Sequence, residues 1–232
     1  MEFSLHKQLK ELYSDDASQR EMRLGRFRID IIRDGRLVEI QQSSLSSIRN
    51  KIRTLLGKHQ VDIVKPVVAR KKIVRLDRKD GDIVSVRLSP TKKTLVNIFD
   101  ELLYFTQVFP HPNLRIIAPL IEIQEVRFPG HGRRRRWGKS DFVIADRLLE
   151  SVVETREFCQ SQDLCDLLPD ELPKRFDTEV LSQLLGVSRG DGQRIAYVLR
   201  QTGAAKQVGK AGNRWVYQLQ RKRKPSRKSA SG

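Results

Sequence analysis

The chain has 232 residues, of which 45 are Lys or Arg and 28 are Asp or Glu, giving a net charge of +17. A surplus of that size points to an anionic polymer or an anionic surface as partner. No stretch approaches the ~20 apolar residues of a membrane-spanning helix, and Met1 to Leu5 lack the basic start and apolar core of a signal peptide.

The two cysteines, Cys159 and Cys165, offer neither a disulfide framework nor a zinc spacing. The sequence reads as a reduced, cytoplasmic protein with no membrane association, long enough for two domains. Its charge is uneven. Residues 221–228 hold six of the excess positive charges, Arg133, Arg134, Arg135, Arg136 and Lys139 hold five, and the remaining +6 is spread over the body.

Residues 1–127 read as an α/β domain. Leu5, Leu9, Leu12 and Tyr13 make a helical stripe. Residues 27–41 form two strands around an Asp34-Gly35 turn. Ser43 or Ser44 caps a helix through Leu45, Ile48, Ile52, Leu55 and Leu56, which stops at Gly57. Residues 61–68 are a strand closed or bulged by Pro66, and 72–76 with 84–88 a hairpin around Asp80-Gly81. Ser89-Pro90-Thr91 introduces a helix through Leu95, Ile98, Phe99, Leu102 and Leu103, and 114–126 is a long strand. This order predicts a mixed sheet flanked by helices.

Residues 128–158 read as a basic connector. The arginine run with Trp137 is a phosphate-contacting strip or a solvated linker, and residues 140–158 are expected to be helical through Phe142, Ile144, Leu148, Leu149 and Val152. Residues 159–220 read as a small α+β winged helix-turn-helix domain. A helix capped by Asp177 or Thr178 is followed by the Gly186-Val187-Ser188 turn. A second helix then carries Ile195, Val198 and Leu199, and a hairpin closes around residues 209–213. Residues 221–232 are expected to be a disordered basic arm.

On the second of those helices, Arg189, Gln193, Arg194, Tyr197 and Arg200 fall opposite the apolar stripe, where Arg and Gln can read base edges. Lys206, Lys210 and Arg214 put charge in or beside the wing. Gly190 and Gly192 in the first turn predict a frayed end, each costing about 0.8–1.0 kcal/mol relative to alanine.

Candidate chemistry lies in residues 27–41. Asp30 interrupts Phe27, Ile29, Ile31 and Ile32, where a charge is costly unless used. Glu39 and Gln41 share one face of the next strand. Two carboxylates on neighbouring strands can hold a divalent metal beside a phosphate. The blander alternative is a half-exposed hairpin with solvated acids.

Asp30, followed after eight residues by Glu39-Ile40-Gln41, resembles the core motif of the PD-(D/E)XK nuclease superfamily. Gln41 stands where that family has lysine, and no proline precedes Asp30. The resemblance implies a restriction-endonuclease-like fold, Mg²⁺ or Mn²⁺ as cofactor, and Asp30 and Glu39 as ligands. It also implies Lys51 as a relocated lysine and a further carboxylate from Glu11 or Glu21. Residues 4–10, 38–41, 87–90 and 208–213 also resemble a bacterial family that joins such a domain to a winged helix, which implies no established activity. The combined reading is a metal-dependent nuclease acting on DNA rather than RNA, with a homodimer left open. A non-catalytic DNA-binding regulator with a degenerate nuclease fold and an RNA-processing factor remain as alternatives.

Overall fold

The computed structural model describes residues 3–130 and 141–220, and the chain divides after Cys159 into two units. The arginine run and the basic arm lie outside the described residues.

In the first unit, α1 (Ser4–Leu12) buries Leu5 and Leu9, while Leu12, expected on the same stripe, is 52% exposed. A polar strand β1 (Gln19–Leu24), not anticipated from sequence, pairs antiparallel with β2 (Phe27–Arg33). Strand β2 turns into β3 (Arg36–Ile40) through Asp34 and Gly35, with φ of 51° and 72°. Two successive left-handed residues make the two-residue turn whose twist matches a hairpin.

Ser44 caps a short turn, Leu45–Ile48, which leads into α2 (Arg49–Leu56), ending at Gly57. Strand β4 (Val61–Val64) and β5 (Val67–Leu76) are two stretches separated at Pro66, which has no N–H to give to a ladder. Strand β6 (Ile83–Leu88) pairs antiparallel with β5, as expected. Helix α3 (Ile98–Leu102) is shorter than its sequence suggested and follows a turn capped by Thr94.

Strand β7 (Leu114–Pro129) is the axis of the sheet. Residues 114–117 run parallel to β4, residues 120–127 parallel to β5, and β8 (Phe142–Phe158) runs antiparallel along its length. Among the described residues the sheet has eight strands in the order β1-β2-β3-β4-β7-β5-β6, with β8 also on β7. It is a mixed α/β architecture flanked by helices. Leu5 and Leu9 pack on Ile31, Val38, Ile40, Val64, Ile117, Ile121 and Ile123. Burying each such side chain contributes about 1.5–3 kcal/mol. Helix α2 lies against β4 and buries Ile52, Leu55 and Leu56.

The expected helix at 140–158 is corrected to the strand β8, so this segment completes the sheet instead of connecting two domains. Its pairing slips three times, leaving Ala145, Glu150 and Val153 without a direct partner on β7. Each slip resets the inside–outside alternation. Apolar residues therefore recur at three- and four-residue intervals that imitate a helix.

In the second unit, a short turn of helix spans Ser161–Leu167. Helix α4 (Thr178–Leu185) is capped by Asp177, whose carboxylate accepts from the Glu179 and Val180 N–H groups at 3.0 and 2.9 Å. Gly186 takes a left-handed φ of 62°, and Ser188 caps α5 (Arg189–Gln201), which buries Ile195, Ala196, Val198 and Leu199. Strands β9 (Ala205–Ala211) and β10 (Arg214–Leu219) form a hairpin turning at Gly212. Phe176 bridges to Tyr217.

Gly192 has a reason that contradicts the expected fraying. A Cβ there would lie 2.0 Å from Ser182 Oγ and 2.9 Å from the Thr178 carbonyl, so α4 and α5 meet across the bare backbone. Gly192→Ala is therefore expected to destabilise the second unit by about 1–3 kcal/mol, although alanine is the better helix former. Urea unfolding in a Trp137→Phe background, followed by Trp215 fluorescence, checks this; an unchanged or raised midpoint would show that the helices can move apart freely. Among the described residues no helix is long and apolar enough to cross a membrane.

Candidate active site

The β2–β3 ladder closes at Ile31↔Val38, so the next opposed positions, Asp30 and Glu39, lie at its open end. On the other side of β2, Arg20 pairs with Ile31 and Met22 with Ile29, which sets Glu21 opposite Asp30. Glu21, Asp30 and Glu39 thus occupy one row across three adjacent strands. Glu21 holds this place at φ 56°, a left-handed conformation that a glutamate rarely adopts. Such outliers persist only where surrounding structure enforces them.

Cations interleave the row. The buried Lys10 ammonium lies 2.9 Å from Glu21 and 3.4 Å from Asp30, and Arg28 also pairs with Glu21. His6 Nε2 is 3.4 Å from Asp30, whose other oxygen accepts the Ile40 N–H at 2.8 Å. That carboxylate replaces the strand carbonyl that the open ladder no longer supplies. Lys51 reaches both Glu39 oxygens at 2.6 Å and donates to the Arg28 carbonyl at 2.6 Å.

The two central acids titrate in opposite directions. Burial raises the Asp30 carboxyl, but hydrogen bonds from His6 and the Ile40 N–H, with the neighbouring positive charges, hold it net below the ordinary range. At Glu39, burial outweighs the Lys51 hydrogen bond and, with the Asp30 charge beside it, pushes the carboxyl up. Asp30 is thus the firmly ionised member and Glu39 the one nearer to holding a proton.

His6, Lys10, Glu21, Asp30, Gln41 and Gln42 line a cleft open to solvent, of about 410 Å³. Gln41 lines this cleft and is also tied into the turn beside it. Its side-chain nitrogen lies within hydrogen-bond distance of Ser43 Oγ, the Ser44 carbonyl and Ser47 Oγ, so its two N–H groups are shared among them and brace the turn that launches α2. Glu11 is exposed on α1 and takes no part among the described residues. His6 and Lys10 were missed in the sequence, although their four-residue spacing puts them on one helix face beside the Leu5/Leu9 stripe.

The structure holds Asp30, Glu39, Lys51 and Glu21 in one neighbourhood. Among the described residues, no three His, Cys, Asp or Glu side chains converge tightly enough to enclose a metal. Mg²⁺ needs fewer, since one or two carboxylates with water and substrate phosphate complete its shell. Asp30 and Glu39 meet that requirement in donor chemistry.

In the second unit, Arg189, Gln193, Arg194, Tyr197 and Arg200 are all exposed, as expected. Arg200 stacks over Tyr197 at 5.9 Å, and Arg194 pairs with Asp191. Lys206 is exposed on β9, and Lys210 lies over the Trp215 ring at 4.2 Å. Arg214 opens β10 beside the hairpin tip. It is bound to Asp177 and Glu179, at the capped end of α4.

Residues 3–159 match the family described as "Domain of unknown function (DUF8091)". Over 220 residues the chain is 30% identical to a protein of Treponema pallidum (strain Nichols) described as "Uncharacterized protein", a match covering 93% of this chain and 84% of that one. No solved structure matches. The family match runs from the start of α1 through the end of β8, taking in the carboxylate row and both helices that serve it, and the chain belongs to the DUF8091 family.

Proposed function

We propose that this protein binds nucleic acid and hydrolyses phosphodiester bonds with divalent-metal assistance. In this reading the first unit is a restriction-endonuclease-like domain of PD-(D/E)XK type, and the second is a winged helix-turn-helix that holds DNA. The observation that carries the reading is the row Glu21–Asp30–Glu39 at the open end of a ladder, interleaved with Lys10 and Lys51. Asp30 and Glu39 would hold Mg²⁺ or Mn²⁺, which when bound supplies a hydroxide nucleophile and stabilises the leaving oxygen.

The chain's own groups do the rest. His6 and Lys10 keep Asp30 ionised and fixed. Lys51 takes the part of the family's lysine, offering its charge to the scissile phosphate from a position set by Glu39 and the Arg28 carbonyl. The +17 charge favours association with any nucleic acid, and salt weakens it.

The test is direct. Purified protein should cut duplex or single-stranded DNA with Mg²⁺ or Mn²⁺ and not with EDTA. A specific observation favours a second reading, a non-catalytic DNA-binding regulator: both central carboxylates are already neutralised by lysines. DNA binding without cleavage under any of these conditions would select it, and cleavage of RNA alone would select an RNA-processing role.

The helix α5 face and the hairpin tip should separate by function. Gln193→Ala is expected to relax preference at one or two base positions, by about 1–3 kcal/mol against the favoured site. Lys210→Ala is expected to weaken binding to every sequence by a similar factor. Binding-site selection with both variants decides this; a motif altered by Lys210→Ala and kept by Gln193→Ala would reverse the assignment.

A further inference from the structure

A second cavity, of about 300 Å³, adjoins the acidic cleft and shares Gln42 with it. Its floor is apolar, from Leu5, Pro66, Val68 and Ile123, and its polar rim is Gln42, Lys71, Ser89, Thr91, Lys93 and Arg147. Among the described residues no acidic side chain lines it. Lys71 and Arg147 are fixed from behind by the fully buried Glu125, each at 2.9 Å. Glu125 also binds Arg127, so its single charge is shared among three cations. Lys93 makes no ion pair among the described residues.

Cations held in place before a ligand arrives attract an anion without reorganisation. We infer that this cavity binds the phosphate monoester of a nucleotide, with the phosphoryl oxygens on Lys93 and Arg147 and the sugar or base over the apolar floor. A volume of about 300 Å³ exceeds what a bare phosphate requires and falls at the small end of ligand sites. The choice of a nucleotide rests on the reading of the neighbouring Asp30 cleft as a phosphodiester site. A strand entering that cleft brings its terminal phosphate within reach of a cavity that shares a wall residue.

The experiment uses the full chain in EDTA, where no metal-dependent cleavage occurs, so a missing nuclease activity would not affect the outcome. The ligands are a 5′-phosphorylated DNA trinucleotide, its unphosphorylated twin and thymidine 5′-monophosphate. The phosphorylated trinucleotide should bind about tenfold more tightly than its twin, the equivalent of one charge-assisted hydrogen bond. Lys93→Ala should remove that preference, whereas Lys79→Ala, an equal charge change at an exposed site away from the cavity, should keep it. Thymidine monophosphate binding as well as the trinucleotide would assign the cavity to free nucleotides, and weaker binding would assign it to strand ends. Equal affinity for the two trinucleotides, or a preference that Lys93→Ala and Lys79→Ala reduce alike, would overturn the inference.

Discussion

Asp30→Asn and Glu39→Gln are each expected to lower metal-dependent cleavage by on the order of a thousandfold while leaving DNA affinity nearly unchanged. Metal-assisted charge stabilisation contributes several kcal/mol to such a transition state, and each 1.36 kcal/mol is a factor of ten in rate. Asparagine at position 30 can still accept the Ile40 N–H, so the open end of the ladder keeps its hydrogen bond. Glutamine at 39 keeps its oxygen toward Lys51. Both variants should therefore fold, and circular dichroism with a DNA-binding titration verifies that. Wild-type cleavage rates in either variant would move the chemistry away from this row. A loss of binding in step with activity would mean that the carboxylates organise the DNA surface instead of the reaction.

Glu125→Gln is expected to destabilise the first unit by about 3 kcal/mol at pH 7. The carboxylate is fully buried, and burial raises its pKa, but hydrogen bonds from Lys71, Arg127 and Arg147 bring it down from 4.5 to about 2. A difference of that size, at 1.36 kcal/mol per pH unit, gives the figure. Removing the charge also leaves three cations facing one another across a neutral amide. Because the folded value lies below the unfolded one, the contribution is complete above about pH 4.5 and is lost as pH falls toward 2. Urea midpoints at pH 7, 4.5 and 3 should show the gap between wild type and variant narrowing in that order. A constant gap would assign the loss to packing, and equal midpoints at pH 7 would show that the cations find other partners.

The same residue shows how far the sequence could be read. A charge inside an apolar strand singled out Asp30, and the rule is sound as far as it goes. It applies equally to Asp62, in a strand of four buried residues, and to Glu125. Asp62 serves to tie Arg36 and Arg115 across β3, β4 and β7. A buried acid is always partnered, and only the fold reveals whether its partners are structural arginines or groups facing a cleft. The hairpin at residues 27–41 was legible because Asp34-Gly35 states its turn type. The helices were legible where Ser44, Asp177, Ser188 and Gly57 mark their ends. Strand β1 was not, since an exposed strand of Gln19, Arg20, Glu21, Met22, Arg23 and Leu24 has no apolar alternation to detect. Strand β8 was misread because its three slips erase the two-residue period. The lysine nearest Glu39 was found from its helix, whereas the hold of Gln41 on Ser43, Ser44 and Ser47 became visible only in the fold.

The position of β7 at the axis of the sheet governs the order in which the chain can assemble during synthesis. The β1–β2–β3 meander and the β5–β6 hairpin pair within themselves and can form as soon as they leave the ribosome. Strands β4 and β5 wait for residues 114–127, which complete their pairing. At usual elongation rates that delay from Val61 to Leu114 is roughly three to ten seconds. Throughout it the edges of β4 and β5 that face β7 lack their eventual partner. Lys65, Lys71 and Lys72 lie in or between those two strands, and their mutual repulsion between nascent chains opposes edge-to-edge association during the wait.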